Sequence, residues 1–219
     1  MILAIDDLLT PAEVVALRET AASLAFGDGR ATAGRFAREV KANDQALPSP
    51  GLDAALDLVR DRLSRNEVFA AAVRPRVLTP LILSRYREGQ TYGMHVDDAL
   101  MKGVRTDVSF TLFLSDPDTY EGGALEVSDH FEAREIRLDA GSLVLYPSTT
   151  LHRVTPVTRG ERLAVVGWAE SWIRDAGKRE ILFDLDRSVA EVHGVQGKSD
   201  LFDTLAKTRS NLIRMWAGD

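Results

Sequence analysis

The chain contains four histidines and no cysteine. Any metal it holds must therefore be bound by imidazole, carboxylate or main-chain oxygen. His95-Val96-Asp97 is the first pairing that fits. In extended backbone, residues two apart project to the same side, so this imidazole and carboxylate can share one cation. The same form recurs with glutamate in His130-Phe131-Glu132. Either pair alone reads equally well as a solvated histidine beside an acid. Context separates them. His95 ends the stretch Tyr86-Arg87-Glu88-Gly89-Gln90-Thr91-Tyr92-Gly93-Met94-His95, directly after a β-rich run, and His152 stands much later in Leu151-His152-Arg153-Val154. The 57 residues from His95 to His152 are enough for four strands and their turns, so antiparallel winding can bring the two together. Two imidazoles and a carboxylate on one face of an octahedral iron leave up to three positions open. His130 lies only 22 residues before His152, too close for the same return, and reads as a turn residue.

Arg162, ten residues beyond His152, is the second candidate. Its neighbours in Arg162-Leu163-Ala164-Val165-Val166 alternate as core-facing strand residues do, which draws the guanidinium inward. A buried guanidinium is costly unless paired. A ligand carboxylate offers the two-pronged match, and a surface pairing with Glu161 is the alternative.

These side chains need a scaffold, and the pattern along the chain supplies one. Up to about Ala72 the reading is helical. Thr10-Pro11-Ala12-Glu13 combines a cap, a proline at the first helical position and a glutamate three residues after the cap; Val14, Leu17, Ala21 and Leu24 follow at helical spacing. Ser49-Pro50 opens a second helix with Ala55, Leu56, Val59 and Leu63 on its stripe. Gly27 to Ala46 reads as a strand-and-loop excursion between them.

From Arg74 to Trp172 the chain is built of strands. Runs at Val77–Tyr86, Asp107–Leu114, Gly123–Val127, Ala133–Leu138, Ser142–Tyr146, Leu151–Val157 and Arg162–Trp168 are separated by Gly-, Asp- and Pro-rich turns. Asp107, Ser109, Thr111 and Phe113 point one way; Val108, Phe110, Leu112 and Leu114 point the other. Such a series argues for a sandwich or barrel. Helical spacing returns with Leu182, Leu185, Val189 and Val192, for which Gly194 is the expected stop, and then with Leu201, Leu205, Leu212 and Trp216 behind Ser199. The expected divisions are residues 1–73, 74–174 and 175–219.

Taken in order, Tyr86-x-x-Gly89-x-x-Tyr92-x-x-His95-x-Asp97, Glu121-Gly122-Gly123, Gly141-Ser142-Leu143-Val144-Leu145-Tyr146-Pro147, His152-Arg153-Val154 and Gly160-Glu161-Arg162 resemble the Fe(II)/2-oxoglutarate dioxygenases of the prolyl 4-hydroxylase superfamily. More closely, they resemble the bacterial PKHD-type hydroxylases, a group associated with iron uptake. The resemblance covers residues 74–172, and the tail from Lys178 resembles that group's small C-terminal domain. The resemblance implies a double-stranded β-helix (jelly-roll) core, mainly β, with N-terminal helices packed on the barrel and a small C-terminal helical domain. It implies Fe(2+) on His95, Asp97 and His152, and 2-oxoglutarate with its distal carboxylate on Arg162. Tyr86 would touch that cosubstrate, while Gly89 and Tyr92 would shape the loop. O2 would be consumed, succinate and CO2 released, and L-ascorbate would keep the iron reduced. Ala124 departs from the pattern, since many relatives carry glutamate there. His193 matches no motif and reads as structural.

Composition narrows the rest. With 27 basic and 33 acidic residues the net charge is −6 and no basic block stands out, which excludes a phosphate-tracking nucleic-acid binder. No apolar run approaches the roughly 20 residues of a membrane helix. The N-terminus reaches Asp6 without a basic stretch, unlike a signal peptide. A cytoplasmic enzyme with a small-molecule or peptide substrate is the expectation. The C-terminal stripes are free to pack on the barrel or to build a homo-oligomer. A cupin-like metalloenzyme without 2-oxoglutarate, and a non-catalytic interaction module on the same barrel, remain the rival readings.

Overall fold

The computed structural model describes residues 1–128 and 133–218, so the His130-Phe131-Glu132 pair lies outside the described residues. Helix α1 (Pro11–Ser23) starts as its sequence dictates. The Thr10 side chain accepts from the Glu13 N–H, and the Glu13 carboxylate accepts from the Thr10 N–H. Ser49 likewise accepts from Leu52 at the start of α2 (Pro50–Arg65), and Asn66 caps the short α3 (Glu67–Val73). Val14, Leu17 and Ala21 of α1 and Leu56, Val59 and Leu63 of α2 are buried in one cluster with strand residues.

Four strands precede the main β region: β1 (Leu3–Ile5), β2 (Phe26–Asp28), β3 (Lys41–Ala42) and β4 (Asp44–Ala46). Then follow β5 (Pro75–Leu78), β6 (Ile82–Arg87), β7 (Thr91–His95), β8 (Leu100–Met101), β9 (Val104–Arg105) and β10 (Val108–Phe113). The last six are β11 (Tyr120–Gly122), β12 (Leu125–Ser128), β13 (Ala133–Ile136), β14 (Leu143–Pro147), β15 (His152–Val154) and β16 (Val157–Ser171). The larger sheet runs β1-β14-β10-β16-β6-β4-β2, and the smaller runs β13-β12-β15-β7-β3. This is the jelly-roll expected from the sequence. The Val77–Tyr86 run is broken at Thr79-Pro80-Leu81 into β5 and β6, since Pro80 lacks the N–H a continuous ladder needs. The Gly27–Ala46 excursion supplies β3 to one sheet and β2 and β4 to the other.

Strand β10 decides the layering. Phe110, Leu112 and Leu114 join the cluster shared with the helices, whereas Phe113 packs inside the barrel with Leu125, Val127, Val144 and Tyr146. Ser109 and Thr111 line the interior cavity. Each large apolar side chain so buried contributes about 1.5–3 kcal/mol. A one-residue slip would aim two hydroxyls at the helix layer and two apolar chains at the cavity, so the register is strongly specified.

After the barrel, Asp175 caps α4 (Ala176–Gln196) and Ser199 caps α5 (Asp200–Trp216). The expected stop at Gly194 is corrected: α4 runs through it and ends at Gly197, whose φ of 62° lies in the left-handed region glycine tolerates. Asp186 of α4 pairs with Arg74, which leads into β5, and with Arg209 of α5 at 2.6 Å. The buried Arg179 donates to the carbonyls of Ile173 and Arg174. His193 packs its ring 4.9 Å from that of Phe202 between the two helices, consistent with a structural role. Among the described residues no helix is long and apolar enough to cross a membrane.

Candidate metal centre

His95 ends β7 and His152 begins β15, and the two pair directly in the ladder between these strands. Their ring centroids lie 4.2 Å apart. Asp97 follows two residues after β7 and turns its carboxylate to both rings: Oδ1 is 3.9 Å from His95 Nε2, and Oδ2 is 3.7 Å from His152 Nε2. One ligand atom from each residue lies within 4.8 Å of the others, the spacing one cation needs. The ladder thus joins two histidines far apart in sequence.

The hydrogen bonds around this set leave it without a donor of its own. His95 Nδ1 lies 2.8 Å from the Gly93 carbonyl, and His152 Nδ1 lies 3.0 Å from that of Thr150. A carbonyl only accepts, so each Nδ1 carries a proton, and in the neutral imidazole Nε2 then presents a lone pair. Burial, reinforced by His152, lowers the His95 pKa to about 4, which keeps that imidazole neutral. Two lone pairs and a carboxylate converging without a proton between them repel one another unless a cation sits among them. The donor set is that of a two-histidine, one-carboxylate iron site.

Ser109 on β10 holds the carboxylate in place. Its hydroxyl donates to Asp97 Oδ2 at 2.6 Å and lies 2.8 Å from the hydroxyl of Ser148. Such outer hydrogen bonds fix a ligand's orientation, and losing one typically costs about 10–100-fold in metal affinity. Ser109→Ala is therefore expected to weaken Fe(II) binding by about 10–100-fold with little change in melting temperature, checked by anaerobic metal titration beside thermal unfolding.

Arg162 lies in the same cavity, on β16 opposite Tyr86 of β6. It is 1% exposed, yet neither Nε nor Nη2 has a hydrogen-bond partner. Its guanidinium carbon stands 5.4 Å from the Tyr86 ring centroid and 5.2 Å from that of Phe113. Glu161 does not pair with it, but turns outward to Arg85 and Arg87. Gly123, at a φ of 61°, leaves room beside it: a Cβ there would meet the Arg162 Cδ at 3.2 Å. A buried cation held among rings, with unused donors facing a cavity, fits a carboxylate-bearing ligand. Tyr86 is buried too, and burial pushes its phenol up to about 12, so it is a neutral donor at physiological pH.

Two features of the cavity escape sequence reasoning. Tyr92 stacks on His95 with centroids 3.6 Å apart, although it lies three positions before it and strict alternation would face it away. The pairing of His95 with His152 and of Tyr92 with Val154 sets three steps on β7 against two on β15. That bulge turns both rings inward. Nothing in the sequence marks it. Lys41 on β3 is the other; it lies opposite Tyr92 and lines the cavity, but belongs to a segment without readable period.

Residues 81–170 match the family model of the 2OG-Fe(II) oxygenase superfamily, and residues 176–218 match that of the PKHD-type hydroxylase C-terminal domain. A PKHD-type hydroxylase of Picosynechococcus sp. is 46% identical over 99% of this chain and all of its own length. One from Maricaulis maris is 45% identical over the full length of both. Among solved structures, a Pseudomonas putida prolyl-4-hydroxylase is similar at a TM-score of 0.55 and 22% identity, covering 78% of this chain and 92% of its own. A 2OG-Fe(II) family oxidoreductase from Burkholderia pseudomallei gives 0.58 and 17%, covering 76% and 82%. These two bear on the fold.

Proposed function

Because the chain belongs to the PKHD-type hydroxylases of the 2OG-Fe(II) oxygenase superfamily, we propose that His95, Asp97 and His152 hold its Fe(II) and that Arg162, with Tyr86, holds its 2-oxoglutarate. The protein is an Fe(II)- and 2-oxoglutarate-dependent dioxygenase, an oxidoreductase that hydroxylates its substrate. That membership sets aside the cupin-like and non-catalytic readings. When bound, the iron and the keto acid supply oxidative decarboxylation to succinate and CO2, coupled to hydroxylation by O2.

The chain's own residues do the rest. The Gly93 and Thr150 carbonyls fix the tautomers of the two histidines, so that their Nε2 atoms stay available. Ser109 orients the carboxylate between them. Arg162 offers two unpartnered nitrogens, Nε and Nη2, to a carboxylate, and Tyr86 contributes a neutral hydroxyl beside it. Leu125 and Val154 are buried and line the cavity, and Phe113 is buried beside Arg162. The observation that carries this reading is Arg162, a fully buried cation with no acid paired to it among the described residues, in the same cavity as a carboxylate and two imidazoles whose ligand atoms converge within 4.8 Å. Each half lacks what the family's cofactor and cosubstrate provide.

L-ascorbate as the reductant of over-oxidised iron, a peptide or small-molecule substrate and a cytoplasmic setting complete the proposal. The absence of cysteine suits a reducing compartment. Metal removal tests it. Protein stripped with a chelator is expected to form no succinate from 2-oxoglutarate in air. Fe(II) should restore the reaction while Zn(II), which fits the ligands without redox chemistry, should not. Succinate formation by stripped protein, or its restoration by Zn(II), would contradict the reading.

A further inference from the structure

The cavity holds a second buried cation. Lys41 is 8% exposed, and its Nζ stands 4.8 Å over the Tyr92 ring and 3.2 Å from Thr32 Oγ1. The Thr32 hydroxyl donates to Gln45 Oε1 at 2.9 Å or to the Gly29 carbonyl at 3.1 Å, so its oxygen is free to accept from the ammonium. No carboxylate among the described residues lies within ion-pair distance of Lys41. One oxygen and one ring face do not saturate three N–H donors. Asn43, two residues on and 3% exposed, lies beside the Tyr86 hydroxyl, but its amide makes no hydrogen bond of normal geometry among the described residues. Desolvation brings the lysine's pKa down to about 8, still high enough for it to be largely charged at neutral pH. Asp97 and Asp28 favour the charge from beyond ion-pair distance, but an ammonium this buried without a direct anionic partner is costly.

Neither the iron nor 2-oxoglutarate supplies that anion. With the assignments proposed for them, one end of the keto acid goes to the metal and the other to Arg162, which sits on β16 in the larger sheet. Lys41 belongs to the edge strand of the smaller sheet, on the segment that forms the rim of the cavity. The 3-10 turn Ala37–Val40 packs against β7, and Gly34 lies so close to Asp98 that a Cβ would collide with its carboxylate. Val96, Ala33, Ala37 and Met101 line the cavity on these segments, and Val96 is exposed. An incoming molecule meets apolar side chains first and a cation inside.

We propose that Lys41, assisted by Asn43, binds a carboxylate of the prime substrate, which is accordingly an organic acid with an apolar body. The proposal rests on the assignment of Arg162 to 2-oxoglutarate. Its test is binding to the anaerobic Fe(II)- and 2-oxoglutarate-loaded protein, by calorimetry, of a panel of N-acetylated apolar amino acids and their primary amides. At least one acid is expected to bind about tenfold or more tighter than its amide. Lys41→Met should erase that preference and Lys41→Arg should retain most of it, while 2-oxoglutarate affinity changes less than about twofold in both. As a second readout, acetylation of Lys41 by limiting acetic anhydride should be slowed by the preferred acid. Equal binding of acids and amides, or no binding by either, would overturn the proposal. So would protection of Lys41 by 2-oxoglutarate or ascorbate alone, which would assign the lysine to a helper anion. The visible absorption of the iron–keto acid complex, recorded on the same samples, separates the two failures. If it is absent in the wild type, the cosubstrate reading fails; if it is present and the acid preference is absent, only the assignment of Lys41 fails.

Discussion

Asp97→Asn is expected to abolish turnover while leaving the metal-free protein at least as stable as the wild type. The sign follows from the lone pairs. In the metal-free chain the Asp97 carboxylate faces two Nε2 atoms at 3.7 and 3.9 Å with no proton between them. A carboxamide of the same shape puts an N–H donor in the Oδ1 position, facing His95 Nε2, while its oxygen in the Oδ2 position still accepts from Ser109; the second negative oxygen is gone. With Fe(II) the order reverses, because a neutral amide is a poorer partner for a dication than a carboxylate. The oxidation depends on the metal's redox chemistry, which no side chain of the protein supplies, so a variant that cannot hold the iron loses turnover. Thermal unfolding with and without Fe(II) checks this together with succinate formation. Fe(II) should raise the melting temperature of the wild type and leave that of Asp97→Asn unchanged. If instead the metal-free variant melts far below the wild type, Asp97 is a structural residue.

Arg162→Met carries the second large effect, and again stability and binding move in opposite directions. Replacing a buried, unpaired charge by an apolar chain of similar length is often neutral or stabilising by about 1–4 kcal/mol. The guanidinium's two unpartnered nitrogens, Nε and Nη2, make the unliganded site a clear instance. The substituted thioether chain would also pack against Tyr86 and Phe113, which already flank the guanidinium. For 2-oxoglutarate the change removes one partner of a buried charge-assisted pair, typically about 2–5 kcal/mol, or roughly 30- to 5,000-fold in affinity. Iron affinity measured without the keto acid should barely change. A variant that loses both affinities equally and unfolds early would show that Arg162 braces the barrel.

Much of this centre is legible in the sequence because it depends on periodicity and long spacing. The alternation through β10 announces which side chains face the barrel interior, since the strand is buried on both sides and every position has to suit one layer. His95 and His152 can be paired because the jelly-roll returns the chain antiparallel, and the ladder sets them opposite each other. The inward turn of Arg162 follows from its apolar neighbours, and its burial agrees. Features that break period are not legible. The bulge beside Tyr92 offsets the inside–outside pattern by one residue without leaving a mark in the sequence. Lys41 enters the cavity on a two-residue edge strand, too short to show alternation. The end of α4 is hidden for another reason: a glycine inside a helix resembles one that stops it until the sign of its φ is known. Gly194 continues the helix, whereas Gly197 has φ 62° and ends it.

Iron and 2-oxoglutarate should meet on the three converging side chains, and the most direct test is an anaerobic titration followed in visible light. Fe(II) added to the protein alone should give no visible band. Adding 2-oxoglutarate should produce a weak, broad charge-transfer absorption that saturates at one equivalent of iron per chain and does not form with Asp97→Asn. A wild-type protein that shows no such band, or a variant that shows it undiminished, would mean that His95, Asp97 and His152 are not where this chain keeps its iron.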